Sequence, residues 1–216
     1  MLDKVEREWR AEAGFRREIT PRFVVKYRET LDADVRRELV AQLEAAAARV
    51  GRTLAYVPQQ RTTVVLYEYR EFRDVTRVHA WATGLFDGKI RLPVGRVSPP
   101  AHELERLVVH EYAHAAIHEL ARGRAPRWLH EGLAQVLEGA TSDPILRAPA
   151  GLTLAGVEAL AGDSDPLRAR AGYDIALWIV RDLLTAAGST RCASSWPGSA
   201  PARPWPRRCR ASTGCA

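Results

Sequence analysis

Positions 110–114 read HEYAH and lie inside a run, 103–121, that contains neither glycine nor proline. Such a run predicts one continuous helix. On a helix, side chains four residues apart share a face and lie about 6 Å from each other, so His110 and His114 can converge on one ion. Glu111 is rotated by only about 100° from His110, and its carboxylate can therefore reach a water molecule on that ion as a general base. This spacing is typical of hydrolytic zinc sites; the alternative is a pair of hydrogen-bonded core histidines.

A second run, WLHEGLA at positions 128–134, offers a third ligand. Gly123 and Pro126 predict the end of the first helix and the start of another, which carries Glu131 back toward the two histidines. The alternative for Glu131 is an ordinary solvated carboxylate. Gln135, one turn further along, is predicted to hold the free ring nitrogen of a ligand histidine.

The other histidines fit this ion less well. A site of the metzincin type needs glycine at 117 and histidine at 120, where this chain has Ile117 and Leu120. His118 continues the helix face beyond His114, but three histidines at this spacing span about 12 Å, which is too long for one tetrahedral ion. We therefore expect His118 either to support a ligand from behind or to have a structural role. His102 and His79 are expected at the surface.

The two motifs together resemble the peptidase MA-like domain family, whose members are zinc peptidases of the gluzincin type. Three upstream stretches extend the likeness: RFVVKY at 22–27, TVVLY at 63–67 and GLFDGKIRLP at 84–93. The resemblance covers residues from about 20 to about 184. It implies that His110, His114 and Glu131 bind one Zn²⁺ and that Glu111 is the catalytic base.

The same resemblance implies roles for two further residues and leaves the substrate open. His130 stands where many relatives have asparagine, and either residue fits beside a ligand. Tyr173 is the candidate for a side chain that contacts the oxyanion, as C-terminal Tyr or His residues do in gluzincins; the alternative is a packing role. Longer relatives carry helical repeats before the peptidase, so an N-terminal repeat region is a possible companion of this chain.

The pattern of apolar residues predicts an α+β fold, and the resemblance implies that this fold is of the zincin-like type. A small mixed or antiparallel sheet should pack on the helix that carries the site, with further helices toward the C-terminus. The predicted domains are an N-terminal helix or connector over 1–20, a peptidase domain over 21–184 and a disordered tail over 185–216. The predicted elements are helices over 2–13, 32–50, 103–121, 128–138, 152–161 and 165–184, and strands over 22–28, 62–69, 85–86 and 89–94.

The strand before the site helix is predicted to line the cleft. In zincins this strand commonly pairs with an extended substrate, so Ile90, Arg91 and Leu92 are candidate substrate-binding residues, and Pro93 would end the exposed edge. The alternative is a plain hairpin, with its turn at Asp87-Gly88 and no role in binding.

Charge and cysteine content concentrate in the tail. The formal net charge is +6, but the tail from residue 185 holds five arginines and no acidic residue, so the body is nearly neutral. A basic binding face is therefore not supported, and no nucleic-acid partner is expected. All three cysteines also lie there, without paired zinc spacing. Because this segment has no aliphatic residue beyond alanine, we expect it to be disordered; a shifted reading frame and an intact one both remain open.

No run of apolar residues is long enough for a signal peptide or a membrane span. The chain as written is expected to stay in the cytoplasm, but whether it is a fragment stays open, which leaves its compartment unknown. The function predicted is hydrolysis of a peptide or protein substrate by a zinc metallopeptidase. The alternative is an inactive, zinc-stabilised module that binds peptides or proteins.

Overall fold

The computed structural model describes residues 2–77, 84–95, 100–141 and 151–188. Helices and strands alternate in the first half of the chain, and helices follow one another in the second. The elements are α1 (Leu2–Glu12), β1 (Arg16–Ile19), β2 (Phe23–Tyr27), α2 (Ala33–Leu54), β3 (Thr62–Glu68), α3 (Tyr69–Thr76), β4 (Leu85–Phe86), β5 (Ile90–Val94), α4 (Ala101–Leu120), α5 (Arg127–Glu138), α6 (Leu154–Ala161) and α7 (Pro166–Gly188).

Within these ranges the five strands form one mixed sheet in the order β1-β2-β3-β5-β4. The three inner strands are parallel to one another, and each outer strand is antiparallel to its neighbour. The helix α2 connects β2 to β3, as a connection between parallel strands requires. The predicted α+β class, with a small mixed sheet and C-terminal helices, is confirmed.

Alternation along the strands divides the apolar side chains between the two faces of the sheet. Phe23, Val25, Val64, Leu66, Ile90 and Leu92 belong to the main core together with residues of α2 and α4. Val65 and Tyr67 belong to a smaller core with Phe72 and Val75 of α3. The helix with the HEYAH motif therefore lies on the larger core, with one side against the sheet and α2 and the other against α5.

The helices α5 and α7 approach each other closely at Gly132. A Cβ atom at this position would lie 2.6 Å from the carbonyl oxygen of Ala176, so only glycine fits without a shift of α7. Because Tyr173 precedes Ala176 by three residues on α7, this contact also brings Tyr173 toward the residue next to Gly132, which is Glu131.

Several predicted boundaries differ from the structure. Asp32 caps α2 as its pattern suggests, but the helix passes through Gly51 and ends at Leu54. The strand β1 and the helix α3 were not predicted, because four residues reading RREI carry no apolar alternation and α3 follows β3 without a break. The helix α7 continues to Gly188, beyond the predicted boundary at 184. Residues 189–216, most of the predicted tail, and His79 lie outside the described residues.

The N-terminal segment, which was predicted as a helix or connector, is joined to the sheet. The strand β1 pairs with β2. On α1 the apolar side chains of Val5 and Trp9 are exposed. The helix is attached instead by carboxylates such as Glu8 and Glu12, which pair with lysine and arginine residues of the sheet. No described helix is long and apolar enough to cross a membrane.

Replacing Gly132 by alanine tests the close approach of α5 and α7. Alanine normally stabilises an exposed helix interior relative to glycine, but here the added methyl would overlap α7, so we expect Gly132→Ala to lower the free energy of unfolding by about 1–3 kcal/mol. Gly156→Ala in α6 is the matched control, because its Cβ would meet only the tip of the flexible Leu152 side chain. Urea denaturation of the parent and the two variants measures their free energies of unfolding. Equal stability of Gly132→Ala and the parent would contradict the close contact.

Candidate metal centre

Three side chains from two helices meet at the base of an open cleft. His110 and His114 lie one turn apart on α4, and the chain then reverses through residues 121–126 before α5 brings Glu131 over them. Glu131 Oε2 lies 3.4 Å from His110 Nε2 and 3.7 Å from His114 Nε2. One donor atom of each residue lies within 4.8 Å of the other two. The structure therefore brings together the three ligands that the motifs predict.

The two separations that involve Glu131 are compatible with a small tetrahedral cation. Ligands about 2.0–2.1 Å from a tetrahedral ion lie about 3.3 Å from one another. The two separations to Glu131, at 3.4 and 3.7 Å, are close to that value. Two imidazoles and one carboxylate are also a donor set that divalent transition metals accept, with a position left for solvent. The group can hold a metal ion.

Glu138 orients the first histidine, which is the role that was predicted for Gln135. Glu138 Oε2 lies 3.2 Å from Nδ1 of His110, the ring nitrogen that faces away from Glu131, and Oε1 pairs with Arg106 at 3.2 Å. Gln135 instead donates from Nε2 to the backbone oxygens of Tyr173 and Glu131, at 2.8 and 3.2 Å. Its prediction is thus corrected: Gln135 joins α5 to α7. Glu138 lies seven residues after Glu131, two turns along the same face, and that spacing could have revealed it.

Burial and neighbouring charges separate the pKa values of the ligand residues. Burial alone would lower the pKa of His110, but hydrogen bonds with Glu131 and Glu138 outweigh it and raise the pKa to about 10. Burial lowers the pKa of His114 to about 3. Burial would raise the pKa of Glu131, yet the hydrogen bond from His110 and the nearby charges bring it below its ordinary value. Without a cation, the site therefore holds one proton on His110 between two carboxylates.

Glu111 lies beside this group in a different environment. Its side chain is buried, and Oε2 has no hydrogen-bond partner among the described residues. Burial raises the pKa of its carboxyl to about 7. The backbone of Gly84 lies against the Glu111 carboxylate and covers it. A Cβ atom at position 84 would lie 2.7 Å from the carboxyl carbon of Glu111. A carboxyl with a pKa near neutrality can both accept and return a proton.

The remaining candidates lie around the group at different distances. The His130 ring centroid is 5.6 Å from that of His114, so this residue lies beside a ligand, and burial lowers its pKa. Tyr173 hydrogen-bonds with Glu131, and burial raises the pKa of its hydroxyl. His118 is exposed at the end of α4, where its ring packs on Phe86 with centroids 5.6 Å apart. That contact agrees with the structural alternative for His118.

The predicted substrate strand is not at the edge of the sheet. Strand β5 lies between β3 and β4, and Ile90, Arg91 and Leu92 are all buried. Ile90 and Leu92 are part of the main core, and Arg91 is held by carboxylates on the other face. The prediction of substrate pairing is therefore corrected for Ile90 and Arg91, whose outer edge is paired with β4, and for Leu92, which has no β4 partner, it stays a prediction. The cleft that contains the ligand group is lined on this side by 84–88, which were predicted only as a hairpin arm and turn.

No family model, curated protein or solved structure matches this chain.

Metal binding should release a proton from His110. In the metal-free protein the pKa of His110 is about 10, so at pH 7.5 the imidazole is protonated, and a metal ligand must be neutral. Calorimetric titration with Zn²⁺ in buffers of different ionisation enthalpy should therefore show release of at least one proton per ion, because ionisation of a bound water adds to the proton of His110. The Glu111→Gln variant excludes the Glu111 carboxyl as the source, because glutamine has no proton to release, and it should still release at least one proton per ion. Binding without proton release would contradict the hydrogen-bonded arrangement of His110.

Removing the charge of Glu138 should weaken the site. Loss of such an outer carboxylate typically lowers metal affinity by about 10–100-fold, since it no longer fixes the ring or raises its basicity. We expect this loss for Glu138→Gln in a competition titration with a chelator. Glu105→Gln is the matched control, because Glu105 is an exposed residue of α4 that pairs with Arg49 at 3.2 Å. Equal affinities of the two variants would show that Glu138 does not support His110.

Proposed function

We propose that this protein is a zinc-dependent peptidase with a zincin-like fold, related to the peptidase MA-like family. The observation that carries this proposal is the buried carboxylate of Glu111, which has no hydrogen-bond partner among the described residues and lies next to a three-residue ligand group. A polar group that is buried without a partner costs about 1–3 kcal/mol. Such a cost is understandable where a reacting molecule supplies the missing hydrogen bond.

Zinc is the ion that this donor set suits best. His110, His114 and Glu131 give two nitrogens and one oxygen, the combination found in hydrolytic zinc enzymes with three protein ligands. When bound, Zn²⁺ would supply Lewis acidity, which polarises a carbonyl and lowers the pKa of water to about 7.

The residues of the chain would divide the proton transfers of peptide hydrolysis among them. Glu111 Oε2 would take a proton from the attacking water while the water oxygen bonds to the peptide carbon. The same carboxyl would pass that proton to the nitrogen as the carbon–nitrogen bond breaks, leaving an amine and a carboxylic acid, which then gives its remaining proton to solvent. In the metal-free protein, burial raises the pKa of Glu111 to about 7, and a buried carboxyl of this kind is suited to accept and to return a proton.

Two further side chains would support the reaction. Tyr173 hydrogen-bonds with the ligand Glu131 and lines the cleft, so its hydroxyl is placed to donate to a carbonyl oxygen that gains charge. Glu138 would hold His110 in the orientation that binding requires. Neither role specifies a substrate beyond a peptide or protein chain.

The main alternative is an inactive zinc-stabilised module that binds peptides or proteins. One observation favours it: Gly84 lies directly on the Glu111 carboxylate, which is only 5% exposed. In that case the ion would serve to link α4 and α5, and the carboxylate would be a packing residue.

Zinc content and peptide cleavage together distinguish the two functions. The parent protein should contain about one zinc ion per chain and cleave members of a peptide library. Glu111→Gln should keep the zinc and lose about 10²–10⁴-fold in kcat/KM, because a general base is missing. The control Glu105→Gln should retain both properties.

Two results would contradict the peptidase. A folded, zinc-loaded parent that cleaves no member of the library would favour the binding module. Cleavage by Glu111→Gln at the rate of the parent would remove Glu111 from the reaction, and with it the observation on which the proposal rests.

A further inference from the structure

Arg91 lies at the centre of a buried ionic cluster on the face of the sheet opposite α4. It is 2% exposed, and each guanidinium nitrogen has a partner. Nη2 pairs with Glu8 at 2.8 Å, Nη1 donates to the Tyr67 hydroxyl at 2.8 Å, and Nε donates to Asp87 at 3.1 Å. These three partners belong to α1, β3 and the turn between β4 and β5.

Lysines complete the cluster and extend it along α1. Lys4 pairs with Asp87, and Lys89 pairs with Glu8 at 3.1 Å. Lys26 of β2 pairs with Glu12 at 2.7 Å, and Tyr67 donates to the same glutamate at 2.8 Å. The cluster therefore fastens α1 to the β4–β5 turn and to the middle of the sheet. We use "ionic cluster" below for Lys4, Glu8, Glu12, Lys26, Tyr67, Asp87, Lys89 and Arg91.

The other end of β4 lies on the candidate site. Only Leu85 and Phe86 separate Asp87, in the ionic cluster, from Gly84, whose backbone covers the Glu111 carboxylate. Phe86 itself packs on His118 of α4. The strand thus has one end fixed to α1 and the other against the side chain proposed to move protons.

We propose that Glu8 and Arg91 are positioning residues for the candidate site. By fixing the β4–β5 turn to α1, they hold Gly84 against Glu111 and so keep that carboxylate buried. A strand of two residues has too few hydrogen bonds of its own to hold this position. The helix α1 is therefore a component of the site, although no residue of it lines the cleft.

This inference rests on the proposed function only for its effect on turnover. The geometric part concerns the contact of Gly84 with Glu111, which exists whether or not the protein is a peptidase. A cluster that merely stabilises the fold would lower global stability without loosening β4 more than other segments. Local loosening of β4 can therefore be distinguished from a loss of global stability.

The decisive comparison uses two carboxylates of α1. Glu8→Gln removes a charge from the ionic cluster, whereas Glu6→Gln removes a charge from an exposed pair with Arg10 on the same helix. We expect amide hydrogen exchange of residues 84–88 to accelerate by about tenfold in Glu8→Gln and to stay unchanged in Glu6→Gln, with exchange in α4 unaffected in both. Lys4→Gln, which removes only a partly exposed partner of Asp87, should give a smaller acceleration in the same segment.

Turnover provides the second measurement. With zinc content equal to that of the parent, Glu8→Gln should lower kcat for peptide cleavage by about tenfold and change KM little, because the ligands are intact and only the cover of Glu111 is loosened. Arg91→Met should have the same effect more strongly. If Arg91→Met does not fold, Glu8→Gln and Lys4→Gln still carry the test.

Unchanged exchange of residues 84–88 in Glu8→Gln would overturn this inference, as would acceleration that is uniform over the sheet and α4. A parent protein without peptidase activity would overturn the proposed function instead. The exchange measurement would then still decide whether α1 positions β4.

Discussion

One carboxylate, that of Glu131, joins the two helices on which the candidate site depends. Its Oε2 atom is within 3.7 Å of both HEYAH imidazoles, and this contact requires α5 to return along α4 after a reversal of six residues. Gly132, the next residue, allows α7 to pack closely enough for Tyr173 to reach the same carboxylate. The positions of α4, α5 and α7 are therefore all tied to this group.

Buried charge explains why the arrangement favours a cation. Glu111, Glu131 and Glu138 lie near the two imidazoles, and removing several carboxylates from water is costly unless positive charge accompanies them. Without metal, the protein offsets part of this charge by keeping His110 protonated and by raising the pKa of Glu111 to about 7. A divalent cation would offset more of it, and it would replace the proton of His110.

The sequence was most informative where one helix turn determines geometry. The spacing of His110 and His114 and the position of Glu131 on a second helix predict the ligand group, because residues four apart on a helix must share a face. It was less informative where distant segments meet. From the sequence of its strand alone, Arg91 is predicted to line the cleft. Only the order of the strands in the sheet shows that its side chain faces α1. The cover of Glu111 by Gly84 depends on a contact across 27 positions, for which the chain gives no local signal.

The ionic cluster shows that the contacts of the N-terminal helix α1 also could not be predicted from the sequence. The apolar residues Val5 and Trp9 are exposed, and the charges of Glu8 and Glu12 make the contact with the sheet. Burial of such ion pairs depends on partners far away in sequence, and amphipathic periodicity does not record them.

X-ray absorption spectroscopy at the zinc edge tests the central claim most directly. The chain contains three cysteines that lie outside the described residues, so sulfur ligation is a real competitor to the proposed site. The account predicts that protein with one bound zinc shows nitrogen and oxygen scatterers at about 2.0–2.1 Å, with the outer-shell signal of two imidazoles. A sulfur shell at about 2.3 Å, retained in the His110→Ala variant, would contradict it.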